Sequence, residues 1–295
     1  MRARIACGPG RRVVLLATAL AVLLVVVAQG TPAWALVPHG ADQGPSSCSP
    51  LAAGGIFLSQ DSTPEGVAVD QDTCTAFVTD LAKNEVYVIS DQAGASNPVE
   101  TIPLPAVDSE SAVPIAVAAD PVSGAVYVAD QGADAVSVIQ EASNPANDAL
   151  EPSTMPLPAT PEAIAVEPGA APGSGTVFVA ESSDQVSEIS EQPGSTPTTI
   201  RLDTSGCSDL GPVAIAVDPD TGSVFIADYS AGDVSVISPG QPPTCVSLQS
   251  TGTLPDGIAV DPGTGKRVRD QQGFQHPVGA PGNQWRPGTP DRGDR

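Results

Sequence analysis

The stretch PVAIAVDPDTGSVFIADYSAGDVSVIS at 212–238 contains three short runs rich in Val, Ile and Ala. The first two runs are joined by DPDTG (218–222), and a polar loop precedes the third. Short apolar runs bounded by Gly, Pro, Asp or Ser are typical of β-strands. In DPDTG the proline presets a turn dihedral, the aspartate caps the turn and the glycine supplies positive φ. The stretch therefore predicts consecutive antiparallel strands.

The same pattern recurs along the chain. Its first run has five copies: PEGVAVD (64–70), PIAVAAD (114–120), PEAIAVE (161–167), PVAIAVD (212–218) and PDGIAVD (255–261). The copies begin 50, 47, 51 and 43 residues apart. Each of the first four copies is followed by a second run, a third run and a weaker fourth run. The fourth runs are ETIPLP (100–105), STMPLP (153–158), TTIRLD (198–203) and CVSLQS (245–250). Each unit predicts a four-stranded antiparallel sheet.

A single sheet of this size cannot cover both of its faces. Packing the units around a common axis covers them and leaves only short edges. We therefore predict an all-β fold, a β-propeller of four-stranded antiparallel blades over 55–265, with about five blades present and the ring incomplete. A linear β-solenoid or an array of β-sandwiches is the alternative.

Two further features locate the strands within each blade. Three of the four fourth runs include or adjoin a proline, which central strands do not accept, so the fourth runs are expected to be outermost. The prolines concerned are Pro103, Pro105, Pro156 and Pro158.

The second runs share one aromatic position, which we expect to pack between blades, with a sugar-binding platform as the alternative. It is occupied by Phe77, Tyr127, Phe178 and Phe225.

The repeat resembles the YVTN/NHL-type β-propeller repeat, best over 212–238 and in all over about 56–265. The resemblance implies the fold but little about function, because such propellers serve many roles. It also implies that GIFLSQ (55–60) could supply the outermost strand of a closing blade. Lactonases and streptogramin-type lyases share this style of repeat, but they need polar residues at the central pocket. The first strands here offer mostly Ala, Val and Ile.

The N-terminus has the pattern of a secretory signal peptide over 1–35. Arginines precede the apolar run 13–28, and Ala33-Trp34-Ala35 is an A-x-A cleavage site. The run is short for a membrane span. We predict export, with a linker at 36–54 and no membrane span after cleavage; an uncleaved anchor is the alternative. The chain is then secreted or extracytoplasmic.

Charge narrows the range of partners. The formal net charge is -22, and only Lys83 and Arg201 are basic between the arginine-rich N-terminus and Lys266. Such a body repels nucleic acid and anionic membranes and favours divalent cations or basic partners.

Four cysteines remain after cleavage of the signal: Cys48, Cys74, Cys207 and Cys245. An even number in an exported chain predicts two disulfides. Cys48 with Cys74 is favoured, since both are expected at the same face of the propeller. A zinc site is the alternative, although no C-x-x-C spacing occurs.

Few residues could support catalysis. The two histidines, His39 and His276, lie outside the repeats, and no nucleophile–histidine set can be placed within them. The acids that end the first runs are expected to cap turns: Asp70, Asp120, Glu167, Asp218 and Asp261. Those that end the second runs are interpreted as solvated loop ends, with calcium or ligand binding as the alternative: Asp80, Asp130, Glu181 and Asp228. No other cofactor is expected.

The tail 266–295 departs from the repeat and is predicted to be disordered or out of frame. One consistent choice of codons for 266–287, read with one base skipped after Lys266, gives VYVTNKGFNTLSVLPATNGV. That reading restores a second and third run at their expected spacing. The nucleotide sequence beyond codon 266 tests this frameshift hypothesis, and a verified unbroken frame would refute it. Under it, Arg292-Gly293-Asp294 is not an adhesion motif.

Three functions remain open from the sequence. The first is an exported non-enzymatic scaffold that binds an unknown protein or polymer partner. The second is a metal-dependent propeller enzyme of the lactonase or streptogramin-lyase type. The third is a component of the cell wall or of a surface array.

Overall fold

The computed structural model describes residues 56, 58–90, 99–140, 152–192, 194–202, 209–248 and 254–260, and the backbone of four short strands at 13–16, 24–27, 267–269 and 275–277. Strands β1 (Val13–Leu16) and β2 (Leu24–Val27) pair with each other. Four sheets of four strands follow, which we call blades 1 to 4. Among the described residues, no helix is long and apolar enough to cross a membrane.

The blades repeat one arrangement. Blade 1 contains β3 (Pro64–Asp70), β4 (Thr75–Asp80), β5 (Glu85–Ser90) and β6 (Val99–Pro103). Blade 2 contains β7 (Pro114–Ala119), β8 (Ala125–Asp130), β9 (Ala135–Gln140) and β10 (Ser153–Pro156). Blade 3 contains β11 (Pro161–Glu167), β12 (Thr176–Glu181), β13 (Gln185–Ser190) and β14 (Thr198–Arg201). Blade 4 contains β15 (Pro212–Asp218), β16 (Ser223–Asp228), β17 (Asp233–Ile237) and β18 (Thr244–Ser247).

Within each blade the strands lie in sequence order and pair antiparallel, as the repeat predicts. The proline-containing strands β6 and β10 are outermost, where a missing amide donor costs no ladder hydrogen bond. The first strands of successive blades contact one another, β3 with β7, β7 with β11, and β11 with β15. The blades therefore follow one another with their first strands side by side.

A fifth sheet begins after blade 4. It contains β19 (Ala259–Val260), β20 (Arg267–Arg269) and β21 (Gln275–Pro277), and β19 contacts β15. These strands lie where a further blade is expected. The rest of the tail lies outside the described residues, so its disorder and its reading frame stay predictions. The same holds for the closing strand at 55–60, of which only 56 and 58–60 are described.

The core lies between blades, and the aromatic position is part of it. Phe77, Tyr127, Phe178 and Phe225 are at most 5% exposed. Each packs among apolar side chains of its own blade and the next one along the chain; Phe77, for example, clusters with Val117 and Val126. The prediction of packing between blades is confirmed, and burial of these rings leaves no platform for a sugar.

The turns between first and second strands are capped as predicted in three blades. The Oδ1 atom of Asp70 accepts the amide of Asp72 at 2.8 Å, and Asp120 and Asp218 accept the equivalent amides at 2.8 and 3.0 Å. Each of the three also accepts a Ser or Thr hydroxyl from the same turn. In blade 3 the connection after Glu167 is longer, and Ser174 bonds to the backbone of Ala171 within it. Asp261 lies outside the described residues.

Candidate functional site

One end of the blades, which we call the upper end, gathers the starts of the first strands and the ends of the second strands. There the proline that starts each first strand pairs with the acid that ends the second strand. The pairs are Pro64 with Asp80, Pro114 with Asp130, Pro161 with Glu181 and Pro212 with Asp228. In every blade the register shifts directly after that proline. The four acids are thus brought to equivalent places at the upper end.

The interpretation of these acids as solvated loop ends is wrong. Asp80, Asp130, Glu181 and Asp228 are all 0% exposed. In blade 1 the reason is visible, because Asp80 turns inward to accept backbone amides of Thr63, Ala82 and Lys83 at 3.1, 3.1 and 3.2 Å. These amides belong to the connections at the upper end, and a carboxylate inside the blade satisfies them.

Asp130 and Asp228 are less well satisfied. The hydroxyl of Ser137 donates to Asp130 Oδ2 at 2.6 Å, and the hydroxyl of Ser235 donates to Asp228 Oδ2 at 2.7 Å. The Oδ1 atom of each is buried without a hydrogen-bond partner among the described residues. Burial raises the pKa of both carboxyls to about 7, against a smaller lowering by the serines. A proton on Oδ1 would remove the cost of an unpaired buried charge.

Glu181 follows the same pattern in blade 3. Gln185 Nε2 donates to its Oε2 atom at 2.5 Å, while its Oε1 atom has no partner among the described residues. Burial raises the pKa of Glu181, and the hydrogen bonds to it offset part of the rise. Three consecutive blades therefore each contain an internal carboxyl group whose pKa is raised by burial.

Metal binding by these acids has no geometric support. Within the part of the chain that the structure describes, no three His, Cys, Asp or Glu side chains are close enough together to hold a metal ion. Each of the four acids belongs to a different blade and serves its own blade. The calcium hypothesis stays a prediction. The histidines His39 and His276 have no described side chains.

A half-buried acid, Glu191, links blades 2 and 3 at the opposite, lower end. The Oε1 atom of Glu191 accepts the hydroxyls of Tyr127 and Ser123 at 2.9 and 3.1 Å, and its Oε2 atom accepts the amide of Gly175 at 3.1 Å. Burial and the neighbouring Asp120 raise the pKa of Glu191. The contact spans blades, so it contributes to how they are held together.

Blade 1 carries a polar network that the sequence reasoning missed. Ser59 Oγ lies 2.5 Å from the hydroxyl of Tyr87, which donates to Asp80 Oδ2 at 3.2 Å. Lys83 Nζ donates to Ser59 Oγ and, at 2.9 Å, to the carbonyl of Gln60. The sequence holds a signal for this network. In the third strands, VYVIS in blade 1 has tyrosine where VSVIQ, VSEIS and VSVIS have serine.

The rest of the upper end is acidic on its surface. It contains eleven acids that are exposed or half-buried: Asp61, Glu65, Glu85, Asp108, Glu110, Asp134, Glu162, Asp184, Asp209, Asp233 and Asp256. The basic residues described there are Lys83 and Arg201. One of the acids also links blades, since Gln131 Nε2 donates to Glu162 Oε2 at 3.1 Å. The upper end is therefore a strongly negative surface.

The predicted disulfides stay predictions. Cys74 lies in the turn between β3 and β4, and Cys245 lies on β18 opposite Ser235. Cys48 and Cys207 lie outside the described residues.

The chain is similar in structure to several solved proteins. A catalytically inactive virginiamycin B lyase from Staphylococcus aureus with quinupristin superimposes with a TM-score of 0.58 at 14% identity, covering 74% of this chain and 66% of that one. A streptogramin B lyase gives 0.57 at 15% identity over 76% of this chain and 72% of that one. A nidogen/laminin complex gives 0.53 at 14% identity over 74% and 76%. This chain spans slightly less than two thirds of the first lyase.

These likenesses establish the fold and no more. The chain is a β-propeller protein with four complete blades among the residues that the structure describes. No protein-family model matches the chain, and no curated protein matches it by sequence.

Proposed function

We propose that this protein is an exported, non-enzymatic β-propeller scaffold whose upper end binds a protein or polymer partner that carries positive charge. The supporting observation is the imbalance of eleven acids against two basic residues at that end. The loops between blades and between second and third strands meet there, and loops on a rigid scaffold are common binding elements. Complementary charge would speed the encounter and make binding sensitive to salt.

Neutralising acids at the upper end is expected to weaken binding to a polycation. The test variant changes Asp108, Asp134 and Asp209 to asparagine, which tolerates the positive φ of 51°, 45° and 51° at these positions. Binding to immobilised poly-lysine would be measured at several salt concentrations. We expect about a tenfold loss at low salt, and a smaller loss above about 0.3 M salt because exposed charges are screened.

The matched control removes the same charge from the lower end, as Asp72→Asn, Glu100→Gln and Asp220→Asn. These three residues are exposed and lie away from the upper-end loops. Equal losses from the two triple variants would show that net charge, not this surface, governs binding. Turnover of a lactone that depends on added calcium would instead support the metal-dependent enzyme.

Export is part of the proposal and has its own test. Sequencing the N-terminus of the protein recovered from outside the cytoplasm should give Leu36, the residue after the A-x-A site. An intact Met1 on protein that stays in the membrane fraction would favour the uncleaved anchor. Fractionation with the cell wall would favour the surface-array alternative.

A further inference from the structure

Ser59 is an exposed serine surrounded by groups that can activate it. Its hydroxyl contacts Lys83 Nζ, Tyr87 Oη at 2.5 Å and Ser62 Oγ at 3.0 Å. Ser59 and Gln60 are exposed, so a reactant can approach the hydroxyl from solvent. A nucleophile within hydrogen-bond reach of a proton acceptor, which is itself oriented by a third group, is the usual arrangement for nucleophilic chemistry.

The third group here is Asp80. Its Oδ2 atom accepts the hydroxyl of Tyr87 at 3.2 Å, while its Oδ1 atom is held by the three amides described above. Tyr87 is 2% exposed, so its ring is fixed by packing. Lys83 donates to Ser59 Oγ, Tyr87 donates to Asp80 Oδ2, and the contact between Ser59 Oγ and Tyr87 Oη joins the two, so the network connects the ammonium group to a buried carboxylate.

One side-chain donor to one carboxyl oxygen of the buried acid does not require this network. Blades 2 and 4 partner the equivalent acid with one serine hydroxyl, and blade 3 uses Gln185. Blade 1 adds a tyrosine, an exposed serine and one of the two basic residues of the repeat region. The tyrosine and the lysine both contact the hydroxyl of that serine, Ser59.

We propose that Ser59 is a nucleophile that accepts an acyl group from an activated donor, such as an aryl ester or a thioester. Ser59 Oγ forms a bond to the acyl carbon, and the bond from that carbon to the leaving group breaks. The Ser59 proton passes to Tyr87 Oη as the tyrosine's own proton passes to Asp80 Oδ2. Asp80 Oδ2 then returns a proton through Tyr87 to the leaving group, or to solvent when the group departs as an anion such as nitrophenolate. Serine and acyl donor give acyl-serine and the free leaving group.

Lys83 has an electrostatic role in this step. Its ammonium group contacts the attacking oxygen, so it also lies near the negative charge that develops on the acyl oxygen. One acylation event needs no turnover, so the proposal does not depend on the scaffold function and does not conflict with it.

The experiment treats the purified full chain with p-nitrophenyl acetate. We expect one equivalent of nitrophenolate, a mass gain of one acetyl group, and peptide mapping that places the group on Ser59. Ser59→Ala should abolish the burst, and Ser59→Cys should restore acylation as a thioester. Tyr87→Phe and Lys83→Gln should each slow it by about 100-fold, a size common for lost proton transfer or charge stabilisation.

Controls separate reactivity from a structural role of the same contacts. Ser182→Ala removes an exposed serine of blade 3, in the connection between β12 and β13, and it should leave the burst within about twofold. Thermal melting of each variant reports folding independently of acylation. Acetyl on Lys83 in place of Ser59, equal labelling of urea-unfolded protein, or no effect of Tyr87→Phe in a folded variant would each overturn the proposal.

Discussion

Replacing Asp130 and Asp228 by asparagine is expected to stabilise the fold at pH 8 and to leave it unchanged or slightly weakened at pH 4. Both carboxyls have a pKa of about 7 in the folded protein, raised from an ordinary value of 3.8. Between these values the folded state binds protons that the unfolded state releases. Stability from these groups is therefore full below about pH 4 and is lost as the pH rises through 7.

The size of the effect follows from the same shift. One pKa unit corresponds to about 1.4 kcal/mol, so each site could lose up to about 4 kcal/mol by pH 8. Asparagine would not recover all of this, because its amide hydrogens would meet the buried site where Oδ1 has no partner. Leaving such a donor unpaired costs about 1–3 kcal/mol. We expect a net gain of about 1–3 kcal/mol per site at pH 8.

Urea unfolding at pH 4, 6 and 8 measures this prediction. Asp80→Asn is the matched control, since that carboxylate already accepts three amides and a tyrosine hydroxyl, and its loss should destabilise at pH 8. Glu181 and Glu191 keep part of the pH dependence in the double variant, because burial raises their pKa values as well. A wild-type protein that is more stable at pH 8 than at pH 5 would contradict the argument.

The sequence was sufficient to predict the blades because their information is local and repeated. The structural meaning lies in a few adjacent residues for each of the five copies of the Pro-to-acid spacing. The same is true of the turn residues at 218–222 and of the proline of β6. The same holds for the aromatic position, whose recurrence in a chain with 3% aromatics indicated a role in packing.

The environment of the upper-end acids could not be predicted in the same way. Whether a strand-ending aspartate faces solvent or interior depends on the path of the connection from the preceding blade, which is a non-local property. Thr63 illustrates this, since its amide reaches Asp80 across 17 residues. The network at Ser59 has a larger sequence separation, because 28 residues separate Ser59 from Tyr87. Only the exchange of serine for tyrosine in β5 marked it in the sequence.

The two kinds of acid also have opposite consequences. Acids on the upper surface add negative charge that a cationic partner would neutralise. Burial raises the pKa of the internal acids Asp130, Glu181 and Asp228, which favours their neutral forms. Lower pH therefore favours the fold through the internal acids Asp130 and Asp228.

Truncating Phe178 to alanine is expected to give the largest single loss of stability, about 3–5 kcal/mol. Its ring is 5% exposed and belongs to the cluster that joins blades 3 and 4, with Leu202, Leu210 and Ile226. Removing it takes away apolar burial and leaves a cavity between two rigid sheets that cannot collapse fully. Phe178→Leu, which keeps much of the volume, should cost less than half as much.

Thermal and urea unfolding of Phe178→Ala would be compared with Tyr229→Ala, an aromatic truncation on the surface. Tyr229 is 42% exposed, so its loss should change stability by about 0.5 kcal/mol or less. Because repeat proteins gain cooperativity from contacts between neighbours, a weakened interface between blades 3 and 4 should also broaden the transition or split it in two. Similar losses from the two variants would mean that the aromatic position does not hold the blades together, and the propeller core would have to lie elsewhere.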